Sequence, residues 1–234
     1  MEMPEKFSRT IIIFTVILVI SSALAAQGSI SFSVKDAVNG EILNPQTDTL
    51  LINKRQPHEY IIQVNIANDT SLGAFTVGLE INSNDSENLT VNWLRQKDGW
   101  GPKGKGKGFS ITTIPEDCRM QPLDRVWDFG SGAILIREND VNGHLPDSLL
   151  YGGFAVLGTG LPAGPASPMI EVHFSLDGLN EDEIGHLCLD TAFVPPGGTL
   201  IFASQPPGLS WVPDFLGKIC FPVRTITPAD MKKE

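Results

Sequence analysis

The stretch that decides the fold is YIIQVNI, residues 60–66. From Ile62 onward every second side chain is aliphatic, and the side chains between them are polar amides. The stretch IEVHFSL, residues 170–176, repeats this alternation. Period-two patterns of this kind are typical of strands that bury one face and leave the other face polar. His173 lies on the polar side of its strand, and we expect it to be solvated.

Further runs of alternating or β-branched apolar residues occur along the chain, at 29–34, 49–53, 74–81, 89–94, 109–114, 125–129, 133–136, 153–157, 186–189, 199–203 and 219–223. Turn signals such as Asn39-Gly40 and Asp177-Gly178 separate them. No stretch shows a sustained helical repeat with caps, and 17 prolines and 23 glycines leave little room for long helices. Short strands divided by such turns predict an all-β sandwich or barrel. The segment GTGLPAGPASP, residues 158–168, is expected to be a long loop within one domain.

The first residues contain the three parts of a secretory signal: Lys6 and Arg9, the apolar run 11–20, and an Ala-x-Ala site at 23–25. The apolar run is shorter than the roughly 20 residues that a membrane-spanning helix needs. We therefore expect cleavage after Ala25, and an uncleaved membrane anchor is the alternative. About 209 residues would remain, which fits a single all-β domain.

The predicted organisation is a signal peptide at 1–25, one β-sandwich domain at 26–224 and a flexible tail at 225–234. We expect a secreted protein, extracellular or periplasmic, that does not insert into a membrane after cleavage. Its formal net charge is −10. Nucleic acid is therefore excluded as a partner, because binding to it depends on neutralising phosphates.

No motif of an enzyme is complete. His58-Glu59 begins like a zinc-binding HExxH helix, but Ile62 stands where the second histidine is required. Gly130-Ser131-Gly132 lacks the frame of a nucleophile elbow. A glycosidase carboxylate pair cannot be recognised without geometry. We expect a protein that is not an enzyme, with an unrecognised secreted hydrolase as an alternative.

Three cysteines are present. Cys188 and Cys220 each lie in a short apolar segment of strand character, and export permits a disulfide. Neighbouring strands could bring the two within bonding range. The alternative is a pair of buried free thiols, because unpaired cysteine behaves as a small hydrophobe. Cys118 is then the unpaired residue.

The segment WGPKGKGKG, residues 100–108, concentrates positive charge and glycine in an acidic protein. One interpretation is a mobile loop in which Lys103, Lys105 and Lys107 contact an anionic partner and Trp100 stacks on a sugar ring. The other is a hairpin tip whose lysines stay in water. These four residues are the candidate binding residues.

The segment ENDVNG, residues 138–143, resembles the opening of an EF-hand calcium loop, with Glu138, Asp140 and Asn142 as the candidate ligands. The acid that such a loop requires at its twelfth position is missing, because Leu149 stands there. A solvated turn is the simpler interpretation. Calcium remains the one cofactor that the sequence leaves open.

Three segments, LLIN at 50–53, YIIQVNIAND at 60–69 and LGAFTVGLEI at 72–81, resemble the cohesin-like and carbohydrate-binding-module-like sandwiches of exported bacterial proteins. The later IEVHF at 170–174 and ICFPV at 219–223 are similar too. The resemblance implies a jelly-roll-like β-sandwich of about nine or more strands. Members of that family bind dockerin modules, cell-surface scaffolds or polysaccharide. Residues 100–150 depart from a compact cohesin, which leaves the binding face open.

The expected function is that of an exported, non-catalytic binding or scaffold module that recognises a protein partner at or outside the cell surface. The alternative is a carbohydrate-binding module that recognises polysaccharide. That alternative needs a row of exposed aromatic side chains, and the tryptophans available for it are Trp93, Trp100, Trp127 and Trp211. A coplanar exposed aromatic set would favour a sugar, whereas a flat polar face would favour a protein.

Overall fold

The computed structural model describes residues 27–226, apart from 84–86, 98–99, 102–103, 106–110, 116–117, 120–131, 140–142, 156–159, 194–199 and 205–207. For 100–101, 104–105, 132–139 and 154–155 it describes the backbone alone. The predicted signal peptide and the last eight residues lie outside the described residues. So do the predicted strand at 125–129 and the site residues Lys103, Lys107, Asp140 and Asn142.

The described chain is all-β, as its alternating patterns predict. In chain order the strands are β1 (Gly28–Asp36), β2 (Ile42–Leu43), β3 (Leu50–Ile52), β4 (Tyr60–Asn68), β5 (Leu72–Asn82), β6 (Thr90–Trp93), β7 (Trp100–Gly101), β8 (Gly104–Lys105), β9 (Thr112–Thr113), β10 (Gly132–Asn139), β11 (Asp147–Ala155), β12 (Gly164–Asp177), β13 (Ile184–Thr191), β14 (Leu200–Ser204), β15 (Ser210–Trp211), β16 (Asp214–Phe215) and β17 (Ile219–Thr225). Among the residues described, no helix is long and apolar enough to cross a membrane.

Two sheets form the sandwich. The first sheet has the order β16-β1-β4-β12-β6, with β2 beside β1 and β9 beside β12. The second sheet has the order β10-β11-β5-β13-β17-β3, and β14 pairs with β5 and with β15. β7 and β8 form a separate two-stranded ribbon. The predicted fold class, a β-sandwich with more than nine strands, is confirmed.

The core lies between the sheets, where the alternation puts the aliphatic side chains of each strand. Val64 and Phe174 enter it from the first sheet, and Val77, Leu189 and Phe221 enter it from the second. All five are fully buried. Burying one such side chain stabilises a fold by about 1.5–3 kcal/mol, so these strands hold the two layers together.

The prediction of a long loop at 158–168 is wrong for its second half, because β12 begins at Gly164. This part of β12 pairs with β4 through shifted register, between Gly164 and Ser167 and again between Pro168 and Ile170. Pro165 and Pro168 have no N–H to donate to a neighbouring strand. The irregular pairing accommodates these prolines. A stretch whose composition is typical of a loop therefore forms part of a strand.

Cys188 and Cys220 face each other on β13 and β17 and are joined by a disulfide with an S–S distance of 2.08 Å. These are the two cysteines that the sequence places in strand-like segments. Cys118 is not disulfide-bonded and is buried beside Met169, whose carbonyl oxygen lies 3.7 Å from its Sγ.

Candidate functional site

The outer surface of the first sheet carries polar side chains on its central strands. We call this set the polar face; its members are Ser31, Ser33, Lys35, Gln63, Asn65, Thr113, Glu171 and His173. They lie on the strand positions that alternate with core residues. One row of the sheet aligns Ser33 with Gln63, Gln63 with Glu171, and Glu171 with Thr113. The surface therefore crosses four strands, β1, β4, β12 and β9.

A chain of hydrogen bonds orders the middle of the polar face. The Asn65 amide donates to Ser33 Oγ at 3.0 Å, and Ser33 donates to Gln63 Oε1 at 3.3 Å. Gln63 Nε2 and Lys35 Nζ both donate to Glu171 Oε1, at 2.9 and 2.6 Å. Gln63 and Glu171 are buried. Because each side chain holds its neighbour, the polar groups are fixed before any partner arrives.

His173 is buried, which contradicts the expectation that it is solvated. Its Nδ1 lies 2.8 Å from Glu59 Oε1, and its Nε2 lies 2.7 Å from Thr113 Oγ1. An ionised carboxylate only accepts hydrogen bonds, so a neutral ring carries its proton on Nδ1 and accepts from the Thr113 hydroxyl. The expectation was wrong because an alternating pattern reports only which side of the sheet a residue faces. Neighbouring polar side chains cover His173 on that side.

The order carboxylate, imidazole, hydroxyl is the order of a hydrolytic triad. A triad also needs a substrate site beside the nucleophile and donors for the oxyanion. In the described part of the chain, the groove that opens to solvent lies at the end of the sandwich where β1 begins. The contacts of His173 with Glu59 and Thr113 fix the positions of all three side chains on this side of the sheet.

A second histidine–carboxylate pair lies at the start of β4, where His58 Nε2 is 2.9 Å from Asp36 Oδ2. Burial acts to raise the pKa of Asp36, but hydrogen bonds from the Val38 N–H and from His58 outweigh it and lower the pKa below its ordinary value. Next to this pair, Tyr60 points into the core and its hydroxyl accepts from the Leu51 N–H at 2.7 Å. Burial raises the pKa of Tyr60 to about 12.

Of the predicted binding loop, the structure describes only the backbone of four residues. This backbone pairs Trp100 with Lys105 across β7 and β8. β7 lies near β9, which carries Thr113. The site residues Lys103 and Lys107 lie outside the described residues.

The described aromatic side chains do not form an exposed row. Trp93 donates from Nε1 to Asp147 at 2.7 Å, and its ring packs against a core phenylalanine. Trp211 makes an edge contact with Phe202, and Tyr60 and Tyr151 are buried. Trp127 lies outside the described residues, and only the backbone of Trp100 is described.

The calcium candidate is only partly covered. The backbone of Glu138 pairs with Leu149 across β10 and β11, and Asp140 and Asn142 lie outside the described residues. Leu149, at the twelfth loop position, is a core residue with no exposed surface. In the described part of the chain no three His, Cys, Asp or Glu side chains are grouped to hold a metal.

The sequence does not predict which residues of this surface contact one another. Lys35 and Glu171 are separated by 136 residues, Glu59 and His173 by 114, and Thr113 and His173 by 60. The alternation at 170–176 marks a polar side of β12, but it does not say which distant side chains meet it.

Comparisons with known proteins give similar structures but no similar sequence. No known family's sequence profile matches the chain. No curated protein matches it either. The similar solved structures include the sixth cohesin of scaffoldin B from Acetivibrio cellulolyticus, in complex with a Cel5 dockerin, at 7% identity and TM-score 0.45, covering 86% of this chain and 99% of that one.

Two further structures are similar at the same level. A type I cohesin from Clostridium thermocellum, in a cohesin–dockerin complex, has 8% identity and TM-score 0.43 and covers 86% of this chain and 95% of its own. A non-cellulosomal cohesin from the archaeon Archaeoglobus fulgidus has 10% identity and TM-score 0.36, with coverages of 88% and 96%. The chain is thus similar to these cohesin domains at low identity and low TM-score. At these TM-scores the likeness carries no argument about what the chain binds.

Proposed function

We propose that this protein is an exported, non-catalytic binding module that recognises a protein partner, at or outside the cell surface, through the polar face. The observation that carries the proposal is the surface itself. Its partly exposed members are Ser31, Ser33, Lys35, Asn65 and Thr113, and the buried Gln63, Glu171 and His173 hold them in place. Among the described side chains there is no exposed aromatic row.

A protein partner fits this surface because non-obligate protein interfaces are about as polar as the rest of a protein's surface and rely on many direct hydrogen bonds. Side chains that are already held by neighbours lose little freedom when a partner binds. A polysaccharide site instead depends on flat aromatic rings, and Trp93 and Trp211 are engaged within the sandwich.

The hairpin at 100–108 supplies a second element of recognition. It carries three lysines in a protein of net charge −10. Such a local positive charge accelerates the approach of an acidic partner surface more than it strengthens the final complex. Its place next to β9 lets it contact a partner seated on the polar face.

Export is supported by the charged, apolar and small-residue parts of the first 25 residues. The Cys188–Cys220 disulfide agrees with an oxidising compartment, since structural disulfides persist there.

The test measures binding of the protein to candidate protein partners and to glycans in the same experiment. The protein from residue 26 onward is immobilised, probed with a glycan array, and probed with a purified dockerin and with exported proteins of the same cell. We expect a protein partner and no glycan. Changing Lys103, Lys105 and Lys107 together to Ser should slow association in low salt, and Lys54→Ser, at an exposed lysine outside the polar face, serves as the control. Glycan binding that Trp100→Ala abolishes would instead establish the polysaccharide alternative.

The hydrolase alternative is favoured by one observation, the Glu59–His173–Thr113 chain of contacts. A fluorophosphonate probe, which labels an activated hydroxyl, separates the two functions. We expect no labelling of the native protein. Labelling that Thr113→Val removes would show that this hydroxyl is a nucleophile.

A further inference from the structure

A segment at one end of the sandwich joins the edges of the two sheets. We call residues 209–216 the strap. Its β15 pairs with β14 in the second sheet, where Trp211 faces Phe202. Its β16 then runs parallel to the start of β1 in the first sheet, where Asp214 faces Ser29. The Leu216 N–H donates to the Ile30 carbonyl at 3.0 Å, which fixes the end of the strap to the first sheet.

Side chains of the strap alternate between the interior and solvent. Trp211 and Phe215 turn inward, where their rings contact Phe202 and Phe32 at 5.9 and 5.6 Å between centroids. The side chains between and after them, at 212, 214 and 216, turn outward.

The outward side chains form an apolar–acidic–apolar line. Val212 is 72% exposed and Leu216 is 65% exposed, with the exposed Asp214 between them. Leu209, at the start of the strap, is 68% exposed. Large exposed aliphatic side chains grouped on one short segment are typical of an interaction site.

A groove of about 690 Å³ opens next to the strap, lined among others by Gln27, Asp69, Gly164, Asp214 and Leu216. Asp69 accepts a hydrogen bond from the Gln27 N–H at 2.9 Å. The Asp214 carboxylate has no hydrogen bond or ion pair with the other described residues. The lining residues include two acids, Asp69 and Asp214, while the guanidinium of Arg119 lies against the lining residues Gly164 and Asn68 and is held there by hydrogen bonds to Asn68, Ser167 and two backbone carbonyls. The Asp214 side of the groove is therefore its negative side.

We propose that the strap and this groove bind an extended segment of a partner protein in which a Lys or Arg stands between two apolar residues. In an extended chain, alternate residues are about 6.6 Å apart, so a segment lying along the strap would set its own alternate side chains opposite Val212, Asp214 and Leu216. A basic side chain would meet Asp214 and Asp69. A second copy of this chain is disfavoured as the occupant, because each copy carries a net charge of −10.

This inference concerns a different surface from the polar face and does not rest on the proposed function. The probe is the synthetic peptide acetyl-Leu-Ala-Lys-Ala-Leu-amide, titrated into isotopically labelled protein in low salt and followed by backbone amide shifts. We expect shifts confined to residues 209–216 and to the groove residues near Gln27 and Asp69. The same peptide with Glu in place of Lys should bind at least fivefold more weakly.

Two pairs of variants control for charge and exposed apolar surface. Asp214→Asn should weaken the Lys peptide about three- to tenfold, while Glu181→Gln, which removes an exposed charge at the opposite end of the sandwich, should change it less than twofold. Leu216→Ser should weaken it similarly, and Ile184→Ser, at another exposed aliphatic residue, should not. Equal affinity for the Lys and Glu peptides, an absence of shifts in the strap, or self-association that Leu216→Ser abolishes would each overturn the proposal.

Discussion

Replacing Arg119 by methionine should destabilise the protein far more than replacing an arginine at the surface. The Arg119 side chain donates from Nη2 to the Ile66 carbonyl at 2.6 Å and from Nη1 to the Pro162 carbonyl at 2.8 Å. It also donates from Nη1 to the Asn68 side chain and from Nε to Ser167 Oγ, at 3.0 and 2.8 Å.

These contacts lie where β12 pairs irregularly with β4. Ser167 is opposite Ile66, and Pro165 and Pro168 on either side of it offer no N–H. The guanidinium therefore provides donors where the ladder lacks them. Burial lowers the pKa of Arg119, so part of the gain is offset by the cost of taking the charge out of water.

Methionine keeps much of the apolar stem and removes every donor. The Pro162 carbonyl would keep its hydrogen bond from Asn68 Nδ2 at 3.0 Å, whereas the Ile66 carbonyl would lose its bond to the guanidinium. A carbonyl left without a partner in a dry environment costs about 1–3 kcal/mol, which is the predicted loss in the free energy of unfolding. Arg119→Lys should recover only part of the lost stability, because one ammonium cannot reproduce the planar fork of donors of the guanidinium.

The assay is urea unfolding followed by circular dichroism, with Arg55→Met as the control. Arg55 is exposed, and a substitution there should change stability by less than about 0.5 kcal/mol. If Arg119→Met and Arg55→Met unfold at the same urea concentration, the account of this strand pairing is refuted.

Three further predictions concern the disulfide, a turn and the acid limb of stability. Replacing Cys188 and Cys220 together by Ala should cost roughly 3–4 kcal/mol by the chain-entropy estimate for a separation of 32 residues, and an unchanged midpoint in urea would contradict it. Gly178→Ala should destabilise the protein by several kcal/mol more than Gly40→Ala. Both glycines have positive φ, but of the two only Gly178 would bring a Cβ against a backbone oxygen, that of Asn88. Equal melting temperatures of the two variants would contradict this prediction. The pKa of Asp36 is lowered in the folded state, so the stability that Asp36 provides is present above its ordinary pKa of 3.8 and is lost as the pH falls through the folded pKa. Between about pH 5 and pH 3 the native protein should therefore lose more stability than Asp36→Asn. Parallel pH profiles of stability for the two proteins would contradict this.

The fold was predictable where one side of a strand is core and the other is polar. The alternation at 60–66 and 170–176 correctly gives the core-facing side chains of β4 and of the second half of β12, such as Val64 and Phe174, but the polar side chains between them, Gln63, Glu171 and His173, are buried as well. The two-residue strands, such as β15 and β16, are too short to show a period. The first half of β12 was missed because its prolines and glycine are typical of loops, and its pairing with β4 and its contact with Arg119 involve distant parts of the chain.

The candidate site was less predictable than the fold. The lysines and Trp100 of residues 100–108 stand out in composition, and their role in binding stays a prediction. The polar face itself depends on contacts between side chains more than 100 residues apart, such as Lys35 with Glu171. A sequence pattern reports the side of a strand on which a residue lies, but the partner of a side chain is decided by the order of strands in the sheet.

The most direct test of the central claim compares two arginine substitutions on opposite outer surfaces of the sandwich. Ser31→Arg puts a long charged side chain on the polar face, and Ile201→Arg puts the same side chain on the outside of the second sheet, where Ile201 is 41% exposed. Affinity for the captured protein partner is measured by titration calorimetry, after circular dichroism has shown that both variants are folded. The account predicts at least a tenfold loss for Ser31→Arg and a change of less than twofold for Ile201→Arg. Retained binding by Ser31→Arg together with lost binding by Ile201→Arg would contradict it and would assign recognition to the second sheet.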